Sequence, residues 1–189
     1  MLIVAGPPGG GKSKAFPVSS FGVDYFNADD RAAVLNNGSY LAIPREIRTK
    51  VNALFEEFVR DHIRMMSSLA FETTLRSDIT FRQAALAKKS GFTTEMRYVA
   101  LRNFPLHFTR VKERAFAGGH SAPAPLLESI YRSSLANLPR AIREMDLISI
   151  YDNSNWGLAP TILLQAESGE VVYRADEIPD WLTQALARL

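Results

Sequence analysis

Residues 6–13 read Gly6-Pro7-Pro8-Gly9-Gly10-Gly11-Lys12-Ser13, a complete GxxxxGKS pattern directly behind the apolar run Met1-Leu2-Ile3-Val4-Ala5. A buried strand that feeds a glycine-rich turn, with a helix opening after it, lets backbone NH groups converge on phosphate oxygens with no side chain in the way. In that geometry Lys12 reaches the β- and γ-phosphates of a nucleoside triphosphate and Ser13 offers its hydroxyl to Mg²⁺. Gly6, Pro7, Pro8, Gly9, Gly10, Gly11, Lys12 and Ser13 are therefore the candidate nucleotide-binding residues, with Ser13 also on the metal. The competing reading, a Gly/Pro turn with a surface lysine, does not account for the strand in front of it. Pro17 arrives early, so the helix opened at Gly11 is expected to kink or to stop near Phe16.

Beyond the loop, apolar runs alternate with helix-period stretches, the pattern of a parallel sheet with helices on both faces. Strands are expected over 1–5, 22–27, 68–73, 94–101 and 147–152. Ile47, Val51, Leu54, Phe55, Phe58, Val59, Ile63 and Met66 recur at three- and four-residue steps and predict one long amphipathic helix. Further helices are expected over 80–89, 105–117 and 125–145, the last kinked or divided by Pro139. After the last core strand, residues 161–165 and 170–174 read as a β-hairpin turning at Ser168-Gly169, and 180–189 as a closing helix. The fold expected is α/β: a three-layer P-loop core, plus a C-terminal hairpin and helix.

A length of 189 residues suits one domain with a single large core, its nucleotide-binding part about 1–154 and its C-terminal addition 155–189. No apolar stretch approaches the ~20 residues that cross a bilayer, and the short apolar start lacks the basic flank of a signal peptide, so a cytoplasmic location is expected. The absence of cysteine excludes disulfides and cysteine-based metal sites. A net charge of +2 with no compact basic run argues against nucleic acid as a partner. The basic excess is local: Arg102, Arg110, Lys112 and Arg114, then Arg132, Arg140 and Arg143.

In open α/β sheets ligands sit beyond the carboxyl ends of the strands. The residues there are acidic: Asn27-Ala28-Asp29-Asp30, Glu72-Thr73-Thr74 and Asp152-Asn153-Ser154. Asp29 or Asp30 could cap a helix; alternatively one of them accepts the proton of an acceptor hydroxyl beside the γ-phosphate. Two adjacent aspartates cannot both point inward. Glu72 closes an apolar strand, where a bare carboxylate is costly unless it meets a metal, a cation or water. Asp152 imitates a Walker B aspartate, though a turn-forming Asp-Asn-Ser is the better reading. A basic helix face carrying Arg110 and Arg114, followed by Gly118-Gly119-His120, suits a lid closing over a triphosphate. A solvated helix ending at a glycine cap is the alternative. His62 and His107 offer only helix positions, and no His/Asp/Glu spacing suggests zinc.

In order and approximate spacing, residues 6–13, Phe26-Asn27-Ala28-Asp29, Phe71-Glu72-Thr73-Thr74-Leu75, Arg110-Val111-Lys112-Glu113-Arg114, Gly118-Gly119-His120 and Asp152-Asn153-Ser154 resemble the zeta-toxin-like family of P-loop kinases. The resemblance spans residues 1 to about 154 and is closest to the shorter branch, in which Gly-Gly-His replaces a longer basic loop. It implies a central five-stranded parallel sheet, an ATP·Mg²⁺ site, a catalytic base at Asp29, and lid cations at Arg110 or Arg114. It also implies substrate-side roles for Glu72, Thr73 and His120. The founding toxins phosphorylate the sugar of UDP-N-acetylglucosamine and are held inactive by a small helical antitoxin. For the shorter branch the kinase chemistry carries over better than the substrate; the acceptor stays open, a sugar nucleotide among the candidates, and an antitoxin partner stays open with it. The expected activity is ATP-dependent phosphotransfer to a small-molecule hydroxyl. The alternative is a nucleotide-binding switch or slow ATPase; a GTPase would need an Asn-Lys-x-Asp guanine-reading motif, which is missing.

Overall fold

The apolar run at the amino terminus becomes β1 (Leu2–Ala5), the middle of a parallel array. The computed structural model describes residues 1–116 and 122–189. After β1 come α1 (Lys12–Ala15), a 3-10 turn Val18–Ser20, β2 (Asp24–Phe26), α2 (Ala28–Leu35), α3 (Arg45–Arg64), β3 (Leu69–Thr73), α4 (Ile79–Lys89) and β4 (Glu95–Ala100). Then follow α5 (Phe104–Phe116), α6 (Ala124–Ala136), α7 (Leu138–Glu144), β5 (Leu147–Asp152), β6 (Thr161–Glu167), β7 (Glu170–Arg174) and α8 (Asp180–Leu186).

The seven strands form one sheet in the order β2-β3-β1-β4-β5-β6-β7. The first five are parallel, and β6 and β7 extend the sheet antiparallel from β5. The hairpin read from the sequence is thus part of the main sheet. Ser168 and Gly169 both take positive φ, 49° and 88°, as a tight two-residue hairpin turn requires.

Alternation along the strands divides the interior. Ile3 and Ala5 of β1 join Phe71, Met96, Tyr98, Ile148 and Ile150 in a large core with Val51 and Val59 of α3, Phe81 of α4, Ile142 of α7 and Trp181 of α8. Val4 and Ala70 face the other way, into a small cluster with Val18, Phe16, Phe21 and Val23. The Arg97 guanidinium lies over the rings of Phe16 and Phe21, 5.1 and 5.0 Å from their centroids, and closes this second side. The two faces are unequal because Pro17 ends α1 after four residues, leaving an irregular segment where a longer helix would lie. Pro139 divides the expected 125–145 helix: Asn137 caps the end of α6 and the start of α7, and donates to Leu75 O at 2.9 Å. Among the described residues no helix is long and apolar enough to cross a membrane.

Candidate active site

The loop between β1 and α1 is made by close backbone approach. Gly6 has φ +136°, and a Cβ there would lie 2.0 Å from Val99 O on the neighbouring β4. Pro7 O accepts from Gly10 N at 3.2 Å, which folds the loop on itself. Gly9 abuts the carbonyl of His107, where a Cβ would meet oxygen at 2.4 Å, and Gly11 is the N-cap of α1.

His107, read from the sequence only as a helix position, proves to be part of this construction. It is 2% exposed; Leu101 N donates to its Nε2 at 2.9 Å, and its Nδ1 lies 2.8 Å from Pro8 O. Because the backbone NH requires an acceptor at Nε2, the proton sits on Nδ1 and is donated to Pro8 O. Burial lowers the His107 pKa to about 4, with nearby Lys12 and Arg110 acting in the same direction and the Pro8 bond opposing. A neutral imidazole therefore ties the loop to the end of β4. On the β5 side, Asn153 Nδ2 donates to Gly10 O at 2.9 Å. Asp152 accepts from Ser154 N at 2.9 Å and Ser154 Oγ at 2.5 Å, the turn-forming role read from its sequence.

Lys12 is buried and donates to Gly6 O and Pro7 O at 2.9 and 3.3 Å. Its Nζ is 3.7 Å from Glu72 Oε1, and Ser13 Oγ donates to Glu72 Oε2 at 2.7 Å. The carboxylate at the end of β3 thus meets a cation, as its place after an apolar strand required. Burial lowers the Lys12 pKa; Glu72 and then Asp29 oppose the shift, while Arg114 adds to it. Asp29 and Arg114, both exposed, are therefore within electrostatic reach of the lysine. The capping role weighed for the aspartates falls to Asn27, whose Oδ1 accepts from Asp29 N and Asp30 N at 3.0 and 3.3 Å. Asp30 accepts from Tyr40 OH at 2.9 Å, so the adjacent carboxylates are separated in role.

Thr73, expected on the substrate side, has its hydroxyl 3.2 Å from Thr80 Oγ1 and accepts from Leu75 N at 3.2 Å, holding its own turn. Arg110 Nη2 donates to Ser154 O at 3.0 Å, and its guanidinium carbon lies 5.0 Å from the Trp156 ring centroid. It is anchored to the β5 turn, and burial lowers its pKa. His120, Gly118 and Gly119 lie outside the described residues. Of the other basic residues, Arg132 pairs with Glu128, Arg140 with Asp78 and Glu144 while lying over the Phe81 ring, and Arg143 donates to Arg188 O. Beside β2 opens a cleft of about 670 Å³ whose lining includes Asn27, Asp30, Arg31 and His62.

No protein-family model and no curated protein sequence matches the chain. Solved structures do. The AvrRxo1-ORF1:-ORF2 complex with ATP is similar at a TM-score of 0.68 and 16% identity, covering 99% of this chain and 62% of the matched one. The chain thus spans under two thirds of that relative. A structure from the PezAT chromosomal toxin-antitoxin system of Streptococcus pneumoniae gives a TM-score of 0.61 at 15% identity, over 100% of this chain and 77% of that one. A provisionally assigned kinase of Chloroflexus aurantiacus J-10-fl gives 0.53 at 16%, over 69% and 77%. At such identities the likeness is one of fold.

Proposed function

We propose that this chain, built on the fold of the zeta-toxin-like P-loop kinases, is an ATP-dependent phosphotransferase that acts on a hydroxyl of a small molecule. One observation carries the reading: Lys12 and Ser13 converge on Glu72 beside the glycine loop, and the charge of Asp29 reaches the same lysine.

The residues fit Mg²⁺ and ATP. Ser13 Oγ and Glu72 Oε2 are hard oxygen donors, and Mg²⁺ takes one or two such groups beside phosphates and waters. Among the described residues no group of three or more His, Asp or Glu forms a cage of its own, consistent with a cation held largely by its nucleotide. Bound there, Mg²⁺ would neutralise charge on the β- and γ-phosphate oxygens. Lys12 would exchange a bond to Gly6 O or Pro7 O for a phosphate oxygen. Glu72 orients Ser13 and so acts on the metal side. Asp29 takes the proton of the acceptor hydroxyl, Arg114 offsets charge on the transferring group, and Arg110 holds positive charge on the β5 flank. His120 is assigned to the acceptor side by its resemblance alone. The cleft beside β2 is of the size that takes a small metabolite, and Asn27 and Asp30, which flank Asp29 in sequence, line it. The acceptor proposed is a hydroxyl-bearing small molecule, a sugar nucleotide among the candidates. The AvrRxo1 structure is of an ORF1:ORF2 complex and the PezAT structure comes from a toxin-antitoxin system; the nucleotide chemistry carries over better than the partner, and an antitoxin for this chain stays an open part of the reading.

ATP turnover measured with and without a metabolite extract tests the reading, with mass spectrometry to find a compound that gains one phosphoryl group. Acceptor-dependent ADP release supports a kinase. Basal hydrolysis unchanged by any extract would mark a slow ATPase or a nucleotide switch instead.

A further inference from the structure

We infer that Trp156 is the platform on which the nucleobase of the donor stacks. This rests on the nucleotide reading of residues 6–13 and concerns the end of the ligand that the loop itself does not hold. Tryptophan is a residue proteins usually cover, yet Trp156 is 73% exposed. Its position is nevertheless fixed. It follows the Asp152-Asn153-Ser154 turn, which is tied to the loop by the bond from Asn153 to Gly10 O, and a Cβ at Gly11 would lie 2.4 Å from the same Asn153 nitrogen. Arg110 is pinned to Ser154 O with its guanidinium carbon 5.0 Å from the indole centroid, and Lys14 Nζ is 5.4 Å from it. Those contacts leave most of the ring open to a planar ligand.

Direction along the site supplies the rest. In the order β2-β3-β1-β4-β5, Glu72 at the end of β3 and Asp29 after β2 lie on one side of the loop strand, and the Trp156 turn follows β5, on the other. Lys12 and Ser13 turn toward Glu72, whereas Lys14, next along α1, turns toward Trp156. A triphosphate whose reacting end faces the carboxylates must therefore extend its nucleoside toward the indole. There the exposed part of the indole would accept a base, and Lys14 and Arg110, which lie over the ring, would be the cations nearest the phosphate next to the sugar.

Fluorescence titration of the full chain tests the inference. The chain has two tryptophans, and the other, Trp181, is 7% exposed and bonded to Leu101 O, so it contributes a steady background. Mg·ATP is expected to quench the exposed indole, whereas inorganic tripolyphosphate, followed by calorimetry, binds without quenching. Trp156→Ala should weaken ATP roughly 5- to 160-fold, the range of one base–aromatic stack, while tripolyphosphate affinity is kept, which also certifies the variant as folded. Trp156→Phe should restore most of the ATP affinity. Unchanged ATP affinity in Trp156→Ala would overturn the platform and leave the loop reading standing. Failure of the wild-type chain to bind either ligand would overturn both.

Discussion

Both ring nitrogens of His107 are engaged by backbone, Nε2 accepting from Leu101 N and Nδ1 donating to Pro8 O, so a second proton has nowhere to go without breaking the bond from Leu101 at the end of β4. Burial holds its pKa at about 4, and unfolding returns it to the ordinary value of 6.5. Between those values the unfolded chain takes up a proton that the native chain refuses. The contribution of His107 to stability is therefore complete above pH 6.5 and is lost as the pH falls toward 4, with a full size on the order of 3 kcal/mol. Urea midpoints at the two ends of this window should separate more in the wild type than in His107→Gln; equal displacement would discharge the histidine from the role. Nothing in the sequence marked it, because its partner Pro8 stands 99 residues away. The loop residues proper were legible: a glycine-rich motif is read locally. Lys12→Ala should abolish transfer and weaken nucleotide binding, given that one preorganised donor contributes ~2.7–4 kcal/mol to a transition state. Asp29→Asn should lower turnover by ~10²–10⁴ and leave ATP affinity nearly intact. Parallel loss of binding and turnover in that variant would remove Asp29 as base.

At the scale of elements, the contact between the end of β1 and β4 is as tight as backbone allows. In Gly6→Ala the new Cβ would overlap Val99 O, in a φ region that side chains avoid. A cost on the order of 3 kcal/mol is expected, read as a lowered denaturation midpoint together with weakened ATP binding. An alanine variant that kept both would mean that the strands can part at no cost. The strands and helices were mostly legible because each declares itself over its own residues: the β1 apolar run, the stripe of α3, the prolines that stop α1 and split α6 from α7. What escaped were relations between elements. That β6 pairs with β5 is decided by register across the sheet, and that Asn153 clamps Gly10 by a contact spanning 143 residues. Inspection of strand ends reached this turn but weighed Asp152, whose carboxylate accepts the bonds that shape it. Glu72 was legible as a carboxylate in need of a partner; the identity of that partner was not.

Over the whole molecule, the C-terminal segment belongs to the same interior as the phosphate loop. Trp181 and Leu182 of α8 are buried in the large core, and Trp181 Nε1 donates to Leu101 O, whose own NH holds His107. Trp181→Ala should cost ~3–5 kcal/mol as for other large core truncations, and it should loosen the nucleotide site as well. Denaturant titration beside ATP calorimetry reads both; a variant that lost stability yet bound ATP as before would show that the tail and the loop are uncoupled. The strand order has a consequence of its own. Under the kinase reading, Asp29, which meets the acceptor, and the turn that meets the donor are suspended from opposite flanks of β1, the first held by Asn27 and the second by its bond to Gly10 O. Substitutions accumulating around Asn27 and Arg31 would then retune which metabolite is chosen while the machinery for gripping ATP stays untouched, so specificity in such a protein can drift over evolutionary time without passing through an inactive ancestor.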